Sequence, residues 1–345
     1  MKMRLLGQSG LKVSELCLGT MTFGTETAIG SEEDECRRVF DAYLEAGGNF
    51  IDTANIYTFG TSERMLGRFI AGQRASLVIA TKYAMNTDLK NPNSGGNSRK
   101  ALREAVEGSL ARLGTDYIDL LWVHAWDAWT PLEETLRGLD DLVRAGKVLY
   151  TGFSNVPAWV VARAQTLAEC RDWSRLVALQ LHYSLIERNV ERELLPCAAA
   201  LGMTVTAWSP LAGGVLSGKY PQDPAARTGQ EGRLTNTGWG NLFLRDRNLA
   251  IAETVRAEAA RLGRSSSSVA IRWLMERGVI PILGARNALQ LRDLLTATQF
   301  TLDADATAAL DAAGQIDLGY PRSLLEGPMG PRMLHGDRAG EIVGR

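Results

Sequence analysis

The sequence predicts an α/β protein of the (β/α)8 TIM-barrel class, and three observations predict it. Short apolar runs of strand composition recur eight times between Leu16 and Leu283, with helical spacing of apolar residues between them. Several of these runs end on a polar or ionisable side chain, as parallel strands do when their carboxyl ends open onto one working face. No strand is followed by the G-x-G-x-x-G turn of a doubly wound dinucleotide-binding sheet, the competing architecture. The nearest match, Gly238-Trp239-Gly240, lies in a long loop and lacks the third glycine. With 345 residues the chain has an ordinary length for one such barrel. Residues 1–320 are therefore read as a single barrel domain, and 321–345 as a Gly- and Pro-rich tail, packed on the barrel or loosely ordered.

Arg4 to Val13 shows two strand-like pieces around Gly7, Ser9 and Gly10, which reads as a hairpin plugging one end of the structure. Leu16 to Thr20 is the first barrel strand, after which Gly19, Thr20 and Met21 let a ligand approach the backbone. A helix follows, with Ser31 as N-cap, three acidic residues in its first turn, and Gly47-Gly48 as its stop. Asn49 to Thr53 is the second strand, Ser62 to Ala71 a helix, Leu77 to Lys82 the third strand, and Ser98 to Leu113 a helix closed by Gly114. Tyr117 to His124 is the fourth strand. Thr130, Pro131 and Glu133 then predict a capping box that starts a helix running to Ala145.

Val148 to Phe153, Leu176 to Leu181 and Met203 to Trp208 continue the strands, with helices over Pro157 to Glu169 and Val190 to Leu201. The rhythm breaks from Ser209 to Asn248, a loop long enough to be a lid or a disordered stretch. Helices over Leu249 to Leu262 and Ser267 to Arg277, a strand at Val279 to Leu283 and a helix from Ala288 to Thr296 complete the series.

Charge nearly cancels, with 38 Lys plus Arg against 39 Asp plus Glu, which disfavours nucleic acid and anionic membrane surfaces as partners. Cys17, Cys36, Cys170 and Cys197 show no CxxC spacing and are read as free thiols. No apolar run has the length of a membrane span or the form of a signal peptide, so the expected location is cytoplasmic. A homo-oligomer is compatible with the sequence.

The chemistry is carried by Asp52, Tyr57, Lys82 and His124, which stand at or just past the ends of three successive strands. A phenol is a poor acid near neutrality, but an adjacent ammonium favours its ionised form and makes Tyr57 a usable proton donor. Asp52 supplies the counter-ion that Lys82 needs in a partly dry site, and His124 orients a substrate oxygen. Together they form an electrophilic pocket for a carbonyl oxygen that gains charge as hydride reaches carbon. None can supply hydride, so a nicotinamide is required. Ser154, Asn155 and Gln180 are candidates for its carboxamide, and Trp208 for stacking. Ser209, Leu211 and Gly213 offer backbone N–H groups to a pyrophosphate, and Gly284, Arg286 and Gln290 precede a helix where phosphate is favoured. Phe23, Met85, Trp126 and Trp239 are candidate walls of the substrate pocket. No metal is needed, and His182 is read as structural.

The stretches DTANIYTFGTSE, ATKY, WVHAWD, GFSN, AWSPLAGGVLSGKY and IPILGARNALQL resemble the aldo-keto reductase superfamily over roughly residues 1–320. GGNSRK near Gly95 to Lys100 and the late GYP resemble its aryl-alcohol-dehydrogenase-like branch. The resemblance implies Tyr57 as general acid completed by Asp52, Lys82 and His124, and NADP(H) as cofactor with Arg286 on the 2′-phosphate. It extends the cofactor site to Pro210, Lys219 and Asp293. Thr58 stands where many members carry glycine, which bears on loop shape. Leu294 replaces a frequent asparagine, so Gln290 and Asp293 carry the adenine end. The implied activity is NADPH-dependent reduction of aldehydes and ketones to alcohols, reversible in principle. A cofactor-sensing regulatory subunit, similar to channel β-subunits, is the alternative. A metal-dependent barrel lyase or hydrolase is a weaker rival, since of three histidines only His124 is suitably placed.

Overall fold

The computed structural model describes residues 1–220, 234 and 243–342. Strands β3 (Cys17–Gly19), β4 (Phe50–Asp52), β5 (Val78–Tyr83), β6 (Ile118–Val123), β7 (Val148–Ser154), β8 (Leu176–His182), β9 (Thr204–Trp208) and β10 (Ile280–Leu283) form a closed barrel. Every pair is parallel, and β10 closes the ring on β3 through Ile282 opposite Cys17. The (β/α)8 class is thus the observed architecture.

Two glycines let this ring form. A Cβ on Gly19 would stand 2.7 Å from Cγ2 of Ile282, so its bareness permits the closing seam. A Cβ on Gly152 would stand 2.5 Å from the ring of Trp122, which fills the barrel interior beside Phe50, Leu120 and Ile280. The hairpin β1 (Met3–Leu5) and β2 (Lys12–Ser14) pairs antiparallel and is the expected plug. Val13 of β2 and Leu6 just past β1 join the interior cluster, completing a floor of apolar side chains at the amino end of the strands.

Helices α1 (Glu33–Glu45), α2 (Thr61–Ile70), α3 (Arg99–Leu113), α4 (Leu132–Arg144), α5 (Ala158–Arg171), α6 (Leu194–Ala200), α7 (Asp246–Leu262), α8 (Ser266–Glu276) and α9 (Ala288–Leu295) follow, with α10 (Ala304–Ala313) beyond them. Their amphipathic faces bury leucine, valine and phenylalanine against the outer surface of the strands. The short helices α11 (Arg322–Leu325) and α12 (Gly330–His335) occupy the tail. Among the described residues no helix is long and apolar enough to cross a membrane.

Three local expectations are corrected. Ser31 is not a cap, because its hydroxyl donates to the carbonyl of Arg286 at 2.9 Å and Glu32 takes the N-cap position. The capping box at Thr130 does not form. Its hydroxyl donates instead to Asp127, an ionised acceptor at 2.6 Å, and α4 starts one residue beyond Pro131. The helix expected over Val190 to Leu201 is a 3-10 turn at Asn189–Glu191 followed by the short α6. Pro196 accounts for this, since it lacks an N–H and is tolerated only in the first turn of a helix. Helix α10, absent from the sequence reading, is capped by Asp303, which accepts from the N–H of Ala306 at 2.8 Å.

Candidate active site

Asp52 is the last residue of β4, Lys82 lies near the end of β5 and His124 follows β6, so adjacent parallel strands deliver them to one mouth. Asp52 is 2% and Lys82 0% exposed. The ammonium of Lys82 donates to Oδ1 of Asp52, to the carbonyl of Thr53 at 2.7 Å and to the Tyr57 hydroxyl at 3.1 Å. All three of its protons are therefore directed, which fixes the charge beneath the phenol. Burial pushes the Lys82 pKa down, but Asp52 and Tyr57 outweigh that and hold it above its usual value. The His124 and Tyr57 rings meet edge to face, centroids 6.1 Å apart. Burial, then the Lys82 charge, lowers the His124 pKa to about 3, so the imidazole is neutral at neutral pH. Its Nδ1 is buried without a partner.

The loop bearing Tyr57 is strained and tightly held. Thr58 (φ 45°) and Phe59 (φ 52°) are both left-handed, and Gly60 follows at φ 85°. Thr58 therefore keeps the backbone shape that a glycine adopts freely. Its hydroxyl donates to the carbonyl of Phe23 at 2.6 Å and accepts from the N–H of Ser62 at 3.0 Å. Beneath the loop, Ser62 Oγ contacts Thr20 Oγ1 at 2.8 Å and Thr53 Oγ1 at 2.9 Å. Glu63, wholly buried, accepts from Thr81 at 2.5 Å and Arg112 at 2.6 Å, tying α2 to the residue beside Lys82.

Gln180 enters from the opposite wall. Its amide Nε2 donates to Oδ2 of Asp52 at 2.9 Å, a contact the sequence reading missed, as it missed the Thr53 carbonyl. Asn155, left-handed at φ 47°, donates to the carbonyl of His124 at 2.7 Å and to Ser154 Oγ at 3.1 Å. Trp208 stacks on His182 at 4.1 Å and 9°, and each ring has a buried nitrogen without a partner. Gly213 and Gly214 are left-handed, and the Lys219 side chain lies over the turn, within 2.9 Å of where a Gly214 Cβ would stand. Gly284 opens onto free space, and Arg286 is exposed just before α9, whose N-cap is Asn287. Gln290 is exposed and its side chain accepts from the N–H of Arg286 at 3.0 Å; Asp293 is half-buried.

Other candidates fall elsewhere. Phe23 is 1% exposed and packs on Phe69 beneath α1 and α2, so it is core rather than pocket wall. Thr20 is buried, its hydroxyl directed to Asp52 O and Ser62. Met21, Met85, Trp126, Ser209 and Leu211 are half-buried, and Pro210 is buried. Trp126 meets the exposed Trp159, also unforeseen, edge to face at 6.4 Å. Asn97, in GGNSRK, binds Ala125 O and the Asp127 N–H at 3.1 and 2.8 Å, clasping the segment after His124. Trp239 lies outside the described residues.

A model of the aldo/keto reductase family matches residues 15–315. The chain belongs to that family. As an aldo/keto reductase it is an oxidoreductase acting on carbonyl or alcohol groups. It is 38% identical over 326 residues to the uncharacterized oxidoreductase YrpG of Bacillus subtilis, covering 90% of this chain and 95% of the relative. It is 36% identical over 329 residues to norsolorinic acid reductase stcV of Emericella nidulans, covering 92% and 82%. It is 32% identical over 331 residues to an aryl-alcohol dehydrogenase [NADP(+)] of Phanerodontia chrysosporium, covering 90% and 85%. The aryl-alcohol-dehydrogenase resemblance thus has named counterparts among this reductase's relatives.

Proposed function

We propose that this protein reduces aldehydes and ketones to alcohols with NADPH, and that Tyr57 is the proton donor. The observation that carries the reading is the fully buried Lys82 ammonium, held by Asp52 and the Thr53 carbonyl, donating to the Tyr57 hydroxyl at 3.1 Å. A positive charge at that distance in a dry site favours phenolate, which lets the phenol release its proton as charge builds on a carbonyl oxygen. Neutral His124, beside the phenol, orients that oxygen.

The residues present fit a nicotinamide dinucleotide. The Nε2 of Gln180 and the Nδ2 of Asn155 are committed to Asp52 and His124, which leaves their oxygens to accept from a carboxamide NH2. Ser154 accepts from Asn155 and keeps its own proton for a carboxamide oxygen. Trp208 offers an aromatic face, Lys219 a cation over a left-handed glycine pair, and Arg286 an exposed guanidinium suited to a 2′-phosphate. Once bound, the reduced cofactor supplies the hydride. Trp126, two residues past His124, and the names of the aryl-alcohol dehydrogenase relatives favour aromatic carbonyls as substrates.

The test incubates the purified protein and its Tyr57→Phe variant with NADPH and a panel of aromatic and aliphatic aldehydes, following loss of reduced-nicotinamide absorbance. Turnover should vanish in the variant while cofactor binding persists. A variant that reduces aldehydes as fast as the parent overturns the assignment.

A further inference from the structure

We propose that Gln180 is a positioning residue that tunes the acidity of Tyr57 through Asp52, beyond any contact it makes to a cofactor. The inference rests on the reading of Tyr57 as proton donor. Asp52 is the only carboxylate that Lys82 touches among the described residues, and its two oxygens are divided: Oδ1 takes Lys82, Oδ2 takes Gln180. Gln180 is itself buried on β8, across the barrel from β4, so it meets Asp52 with little water between to weaken the bond. A donor on Oδ2 draws negative charge toward that oxygen and away from Lys82. The ammonium then remains less neutralised at the phenol, and phenolate is favoured.

The charged and titratable groups facing this cluster are few. Cys17 on β3 lies near Asp52 and Lys82, and its thiol is pushed well up by burial, so it stays neutral. His124 beyond β6 is neutral as well. Asp52, Lys82 and Tyr57 are left as the charges that respond, and a neutral dipole aimed at Asp52 acts on all three. The same side chain is placed to offer its remaining oxygen to a carboxamide. Occupancy of the cofactor site and the readiness of the acid therefore share one amide.

Gln180→Met is close in size and lacks the donor, and Gln180→Asn keeps an amide too short to span the gap. Tyrosinate absorbance of the cofactor-free protein is titrated against pH, taking the difference between each form and its Tyr57→Phe counterpart to isolate the one phenol. Both Gln180 variants should ionise Tyr57 at higher pH than the parent, by up to about one unit. The high-pH limb of carbonyl reduction should move upward with it. Ser154→Ala, which alters the proposed carboxamide site without touching Asp52, should raise the KM for NADPH and leave both curves in place. Gln180 variants that weaken cofactor binding but keep the parent's tyrosinate curve would overturn the proposal. Unaltered reduction by Tyr57→Phe would instead overturn the reading beneath it.

Discussion

The Nζ of Lys82 stands 3.1 Å from the hydroxyl of Tyr57 while its other two protons are held by Asp52 and the Thr53 carbonyl. Substituting Lys82 by Met therefore removes the charge under the phenol and leaves Asp52 buried beside a methyl group. Breaking a buried ion pair in this way costs about 3–5 kcal/mol of stability. Carbonyl reduction should fall by about 10²–10⁴-fold, the usual worth of a positioned proton donor. Urea unfolding and steady-state rates measured on the same preparation check both parts.

His124 carries the opposite sign of linkage from a salt-bridged histidine. Its folded pKa is about 3 against an ordinary 6.5, so between these values the unfolded chain binds a proton that the folded chain refuses. Stability should decline as pH falls through that window and be unaffected by this group above it. His124→Gln should flatten the decline when unfolding free energies at pH 7 and pH 4.5 are compared. An unchanged slope would mean the ring is not held neutral.

Phe59 is 76% exposed and left-handed at φ 52°, so its side chain contributes little to packing while its backbone is strained. Phe59→Asn should stabilise the protein by up to about 1 kcal/mol, because asparagine visits that region at lower cost. Thr58→Gly should show no such gain, since it also loses the bonds to Phe23 and Ser62. Paired denaturation curves separate the two.

Glu63 is the buried carboxylate whose loss should be felt most outside the cluster of Asp52, Tyr57, Lys82 and His124. Glu63→Ala strands Thr81 and Arg112 and should cost about 3–5 kcal/mol. Arg332→Ala breaks a fully surface pair with Asp337 and should cost less than about 1 kcal/mol. Unfolding midpoints of the two variants give the comparison directly.

Arg286→Ala tests the phosphate end. The KM for NADPH should rise about tenfold or more, the scale of one lost charge-assisted bond to phosphate, while NADH is used as before. Equal loss with both cofactors would place Arg286 elsewhere than at the 2′-phosphate.

Much of this arrangement was legible because barrel chemistry is written at strand ends. The apolar runs leading to Asp52, Lys82 and His124 announce three adjacent strands, and parallel pairing does the rest. What was not legible depends on contacts across the ring or on competition for one donor. Nothing in the local sequence pairs Gln180 with Asp52, since they sit on β8 and β4, strands on opposite sides of the ring. Ser31 and Thr130 have the composition of caps, yet each hydroxyl found a tertiary partner. Phe23 looked like a pocket wall from its place after β3, but the chain turns it under α1 and α2 instead.

The seam between Cys17 and Ile282 joins the first barrel strand to the last. Asp52, Tyr57, Lys82 and His124 come from the early half of the polypeptide, whereas Gln180 and Arg286 come from the later half. A chain ending before Ile280 would carry Tyr57 and Lys82 yet lack the strand that pairs with both β3 and β9, so its ring would stay open.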